Sequence, residues 1–264
     1  MSMSKTVVSM RRAALLFILT ACNIPAVLLA QTPDLSGVYY PMLRDALEIS
    51  GATTPGSPPP RPTQTSPLGD GRQGREGSPR LTPEYMAKWE IMRKTREAGS
   101  SEFDNFLKCL PLGMPSIMLS NYPMEMVQNK DKIILYNELN DSVRRIYLDG
   151  RKPTPAKLDD PTYAGYASGH WEGDTLVVDT AAIHTNAIIE SISIVFTPHS
   201  DAMTVRERIR LASPDVLEDR ITVTDPKAFT KPWEIAQKYR RAKPGSGQDE
   251  LREFACAEGF GVTK

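Results

Sequence analysis

The chain has 264 residues, of which 40% are hydrophobic and 24% charged, so it can bury a core and is not disordered throughout. Lys and Arg together number 32, as do Asp and Glu. Residues 1–30 hold Lys5, Arg11 and Arg12 and no acid, leaving 29 basic against 32 acidic residues in the rest, which argues against a nucleic-acid partner.

Arg11 and Arg12 precede an apolar run over 13–20 and a stretch rich in small residues over 21–30, the pattern of a secretory signal. No membrane span is expected, because Asn23 and Pro25 interrupt a run already shorter than the roughly 18 apolar residues a crossing needs. Ala30 before Gln31 suits a signal peptidase and gives a periplasmic or secreted protein. Leu19-Thr20-Ala21-Cys22 also fits a lipobox, in which residues 1–21 are removed and acylated Cys22 anchors a lipoprotein. Both readings leave Cys109 and Cys256, and two cysteines in an oxidising compartment predict one disulfide. The alternatives are two free thiols or a Cys–His catalytic pair, for which no histidine lies nearby in sequence.

A first strand is expected at 34–40, within a segment 31–50. Residues 51–80 hold seven prolines and six glycines and read as a flexible surface loop. Gly69, Gly71 and Gly74 match a dinucleotide fingerprint by letters, but no strand precedes them and no helix follows, so the match fails its context. Pro58–Pro62 has the letters of a polyproline ligand and is read as part of the same loop. In segment 81–118, Thr82 is an N-cap, Pro83 suits the first helical position, and Glu84 suits the positive end. Tyr85, Trp89 and Met92 repeat at helical spacing as a packing face, and Gly99 ends the helix. The loop at Cys109 follows.

From residue 119 onward the expectation is a β core. Period-two segments fall at 124–128, 132–138, 143–149, 167–171, 175–180, 191–197, 203–211, 216–224, 233–240 and 251–256. Turn residues separate them at 129–131, 140–141, 172–174 and 213–215. About ten short strands in hairpins predict a mainly β protein, an antiparallel up-and-down barrel of lipocalin-like type with a short N-terminal helical segment.

Ser168-Gly-His-Trp-Glu-Gly-Asp-Thr-Leu-Val-Val-Asp-Thr180 resembles the signature of a large family of uncharacterised exported bacterial proteins. Leu35–Val38, Leu81–Tyr85, Cys109–Pro115, Val143–Gly150, Asp225–Trp233 and Phe254–Glu258 match as well, so the resemblance covers most of 31–260. It implies a secreted, β-rich, lipocalin-like fold with no agreed activity, and it assigns no catalytic residue.

Side chains alternate across a strand, so the apolar row marks the inner face. Met203, Val205, Ile209 and Leu211 share their row with Glu207, while Arg206, Arg208 and Arg210 form an outer, solvated basic row. Leu217, Ile221 and Val223 share theirs with Asp219. On the same reasoning Arg145 and Tyr147 join the row of Val143, and Gln237 joins that of Trp233, Ile235 and Tyr239. Glu207 and Asp219, buried, are candidate general acids or bases; Arg145, Tyr147, Trp233, Gln237 and Tyr239 are candidate ligand contacts. A structural ion pair of either carboxylate with Arg145, or a bulge turning the carboxylate outward, is the alternative. His170 is a further catalytic candidate, and His199 and Asp201 are loop candidates. His170, Glu172 and Asp174 lack zinc spacing, and no G-x-S-x-G elbow, P-loop or EF-hand occurs, so neither a metal nor a cofactor is expected.

Three readings follow. The first is an exported barrel handling a small apolar or aromatic molecule in a barrel cavity; the second is a cofactor-free acid/base enzyme (isomerase, lyase or hydrolase) in the same cavity; the third is a structural envelope protein with a filled barrel.

Overall fold

The computed structural model describes residues 32–42, 78–190, 196–254 and 256. The expected signal segment, Cys22 of the expected lipobox, the segment around Gly69–Gly74 and most of the expected strand at 191–197 lie outside the described residues. Nine strands close into a barrel in chain order: β1 (Gly37–Pro41), β2 (Met124–Gln128), β3 (Lys132–Asn137), β4 (Ser142–Tyr147), β5 (Tyr166–Glu172), β6 (Thr175–Ala181), β7 (Thr204–Ser213), β8 (Val216–Thr224) and β9 (Trp233–Arg241). The expected mainly β barrel is present. The segment at 251–254 is not a strand; its end is tied down through Cys256 instead.

Every join is antiparallel except β4–β5. Each antiparallel join reverses chain direction, so a closed ring must contain an even number of them. Nine strands make nine joins, and one therefore has to be parallel. A parallel join needs a crossover; residues 148–165, with a short helix α3 (Pro155–Leu158), provide it. Only two residue pairs, Ile146↔Ala167 and Tyr147↔Ser168, hold this seam.

The two ends of the barrel differ. Turns of two or three residues, 129–131, 173–174 and 214–215, close one end. Asn129 shapes the first by accepting from the backbone N–H groups of Asp131 (3.0 Å) and Lys132 (2.9 Å), the turn role its residue type suggests. The long connections gather at the other end. There α1 (Pro83–Glu97) buries Tyr85, Trp89 and Met92, as their spacing predicts. Thr82 starts the helix without capping it: its hydroxyl donates to Lys227 O (3.1 Å) and its N–H to Ala228 O (2.8 Å), which docks the helix onto the β8–β9 connection. A short helix α2 (Ser116–Leu119) is buried at all four residues. Ser116 Oγ donates to Ile188 O (3.1 Å) and accepts from Glu190 N–H (2.9 Å), so α2 is sewn to the β6–β7 connection. Inside, Leu35, Tyr39, Met126, Leu135, Ile146, Val178, Ile209 and Leu217 form part of one continuous apolar core. Among the described residues no helix is long and apolar enough to cross a membrane.

Cys109 and Cys256 are joined by a disulfide closing a loop of 147 residues. Replacing both with alanine is expected to lower the unfolding free energy by about 4–5 kcal/mol on the chain-entropy account, read as an earlier midpoint in urea. Glu190 gives a second expectation. Burial, reinforced by the charge of Asp104 and opposed by Arg96, pushes its carboxyl up to about 7 from an ordinary 4.5. A folded-state value above the unfolded one favours the fold at low pH and is lost as pH rises through about 7. Melting temperatures measured on either side of that value should therefore converge in Glu190→Gln.

Candidate functional site: a polar core and an aromatic groove

Strand alternation places four sequence-selected polar side chains inside the barrel. Glu207 and Asp219 are fully buried, Tyr239 and Gln237 nearly so, and Trp233 is buried with them. The irregularity in β7 falls between Leu211 and Ser213, beyond Glu207, so no bulge turns that carboxylate outward.

The arginine that joins them is Arg144, and here the sequence reading is off by one residue. Arg145 points outward, Tyr147 is half-buried on the outer row, and Val143, whose apolar character marked the supposed inner row, is 37% exposed. Arg144 occupies the inner row because a fully buried Glu207 requires a counter-charge at that point. Its Nη1 donates to Glu207 Oε1 at 2.7 Å, its Nη2 donates to Glu207 Oε2, and Nη2 also reaches Thr180 Oγ1 at 3.0 Å. This is a bidentate guanidinium–carboxylate pair with neither partner in contact with solvent. Glu207 is thereby occupied as a counter-ion and is not a free base.

Asp219 differs from Glu207. Ile209 stands opposite it on β7 and Gln237 on β9, which places Glu207 on the adjacent diagonal of the same face. Neither oxygen of Asp219 receives a hydrogen bond, and Arg144 Nε also has no partner. Burial drives the Asp219 carboxyl well above the ordinary carboxylate range; the charge of Glu207 pushes it further and Arg144 opposes. Tyr239 donates its hydroxyl to Met118 O, and burial raises its pKa too.

The three histidine-region candidates do not meet this cluster. His170 stands on the outer face of β5, more than half exposed, 3.3 Å from Glu172. The pleat dictates this: the inner position next to it is Gly169, where a Cβ would meet Ile146, Leu148 and Leu176 side chains at 3.1–3.2 Å. His199 is buried with its ring nitrogens 2.8 Å from Ser200 O and 2.9 Å from Ala187 O. Burial lowers its pKa, and its role is to tie the β6–β7 connection. Asp201 turns away to solvent and pairs with Lys227 at 2.6 Å. The outer arginines of β7 are paired rather than merely solvated: Arg206 with Asp179 (2.7 Å), Arg208 with Glu172 (2.9 Å) and Arg210 with Glu218 (3.1 Å). The first two pairs are exposed and contribute little each, whereas Glu218 in the third is buried.

Arg145 and Tyr147 do meet a recess, on the outside of the barrel. Where β4 and β5 part, the chain at 162–166 leaves a groove of about 380 Å³ beside Val143, Arg145 and Tyr147, with Leu112 and Lys157 also on its walls. Tyr147 and Tyr166 stack at 5.3 Å, and Tyr163 lies flat against His184 at 5.4 Å. The Arg151 guanidinium covers Tyr147 at 4.4 Å. A second recess, by Glu125, Asp141, Asp249, Glu250 and Glu253, is lined mainly by carboxylates. There Tyr136 donates to Asp141, which pushes its hydroxyl up to about 12.

Sequence reading missed Arg144, Thr180, Tyr163 and Tyr166. The signal for Arg144 was present: two inward acids on β7 and β8 demand an inward cation, and Arg144 and Arg145 are adjacent. Among the described residues no cluster of His, Cys, Asp and Glu is arranged to hold a metal ion. No protein-family model matches the chain, and no curated protein matches it significantly.

Removing one member of the buried pair leaves a bare charge in the core. Either single change, Arg144→Met or Glu207→Met, is expected to cost about 3–5 kcal/mol, while the double change should recover most of that loss. Urea unfolding of the two single variants and the double variant measures the coupling.

Proposed function

We propose that the chain is an exported barrel protein that binds a small, flat aromatic molecule in the groove beside the β4–β5 seam. The observation that carries this reading is the pair of stacked tyrosines, Tyr147 and Tyr166, bordering a recess whose volume falls within the range of small-molecule sites. Aromatic walls favour an aromatic guest, because offset stacking adds to the area buried. Arg145 and Lys157 against one acid, Asp160, give the lining a net positive charge, so a carboxylate on the guest is favoured. Export is supported by the leader-like composition of residues 1–30 and by the disulfide. Membership of the exported β-rich family with the Ser168–Thr180 signature belongs to the same proposal.

The reading as an acid/base enzyme finds less support. Glu207 is held by Arg144, Asp219 is out of contact with solvent, and His170 lies on the other side of the wall.

The test is a fluorescence titration with 1-naphthoate as probe. Saturable binding is expected, weakened about tenfold, or about 1.4 kcal/mol, by Tyr166→Ala. Arg145→Gln should weaken naphthoate but leave its neutral alcohol analogue unchanged. Absence of saturable binding, or equal affinity in Tyr166→Ala, would reject the groove as the site.

A further inference from the structure

We propose that the barrel core is a proton-binding site: Asp219 is a neutral carboxylic acid whose O–H donates a hydrogen bond to the Glu207 carboxylate, giving a neutral Arg144–Glu207–Asp219 cluster.

Arg144, Glu207 and Asp219 are all fully buried. With both acids ionised the cluster would hold a net charge of −1 with no access to water, which is strongly unfavourable. One bound proton brings it to neutrality. Glu207 is the acid that stays ionised, since each of its oxygens already accepts from an Arg144 Nη. The proton therefore belongs on Asp219.

Hydrogen bonding leads to the same assignment. An ionised carboxylate can only accept. Neither Asp219 oxygen receives a hydrogen bond. Gln237, opposite on β9, directs its amide N–H to Lys238 O at 3.2 Å. Tyr239 directs its hydroxyl to Met118 O. Glu218, the charged neighbour on β8 itself, is engaged by Arg210 and Arg220. Arg144 commits both Nη groups to Glu207 and Thr180, and its Nε makes no hydrogen bond to Asp219. What Asp219 meets is the Glu207 carboxylate, which accepts and does not donate, so the position suits a carboxylic acid, which donates one O–H, and not a second carboxylate. Its cross-strand neighbours on β7 and β9 are Ile209 and Gln237, neither of them a cation.

The consequence for stability has a definite sign. A carboxyl whose folded-state affinity for protons exceeds its unfolded one favours the fold at low pH, and the advantage is lost as pH rises. Asn at 219 is isosteric with the neutral acid, so Asp219→Asn should keep the fold and lose less stability on the alkaline side.

The deciding measurement is infrared spectroscopy of the wild-type protein in alkaline buffer, above the value of about 7 at which Glu190 ionises. A protonated-carboxyl C=O band is expected to persist there, to shift on carboxyl-specific isotope labelling of aspartate, and to be lost in Asp219→Asn. A missing band, a band insensitive to aspartate labelling, or a band retained in Asp219→Asn would each overturn the proposal. Because the labelled wild-type protein reports by itself, a failure of Asp219→Asn to fold does not remove the test.

Discussion

Direction around a closed ring of strands is the constraint from which much of this molecule follows. Nine strands cannot alternate throughout, so one join must be parallel, and the chain must travel from one end of the barrel to the other to make it. The crossover at 148–165 is that passage. Because the seam is held by only two residue pairs, β4 and the chain before β5 part company above it, and the gap is walled by whatever those two segments present. Tyr147, Tyr163 and Tyr166 stand at this place for a topological reason. An all-antiparallel barrel of eight or ten strands would need no parallel join.

Closure also explains how ionised groups come to be inside. A ring of short strands hides its edges, and its interior is filled by alternate residues of every strand. Most of those positions are apolar, yet β4, β7 and β8 each contribute one charged residue type to the inner row: Arg144, Glu207 and Asp219. Buried ion pairs of this kind are poor sources of net stability. Their strength is directional. A guanidinium that must meet Glu207 on β7 and Thr180 on β6 fixes the register of β4 against strands on the far side of the weak seam. The cross-barrel pair thus does for β4–β5 what the missing ladder hydrogen bonds do not.

Much of this was legible in residue order. The sequence located all nine strands to within a few residues, and alternation placed Glu207, Asp219, Gln237 and Tyr239 on the inner face, because apolar neighbours two apart leave little choice. It failed at β4 for a specific reason. Ser142-Val-Arg-Arg-Ile-Tyr147 contains one apolar residue in each row, Val143 and Ile146, so the pattern is symmetric and the register undetermined. Counting charges across strands, rather than hydrophobicity within one, would have resolved it. The parallel seam left no local trace, since register between β4 and β5 depends on a crossover whose course no single segment encodes. His170 was drawn into the site by its chemistry, whereas the pleat beside Gly169 sends it outside.

The groove and the polar core share one wall, and a single glycine makes that possible. Gly165 has φ +69°, and a Cβ there would lie 2.7 Å from Thr180 Cγ2 and 2.8 Å from Ala181 O, a space and a conformation that only glycine fits. The chain at 162–166 can therefore rest directly on β6. Thr180 meets it with its methyl group and presents its hydroxyl to Arg144 on the inner side. One residue thus separates an aromatic recess from a buried guanidinium, apolar toward one and polar toward the other. The two regions have opposite physical requirements: the core needs every charge matched, while the groove needs aromatic faces and cations left accessible. Thr180 and Gly165 allow both to be met within the thickness of one strand.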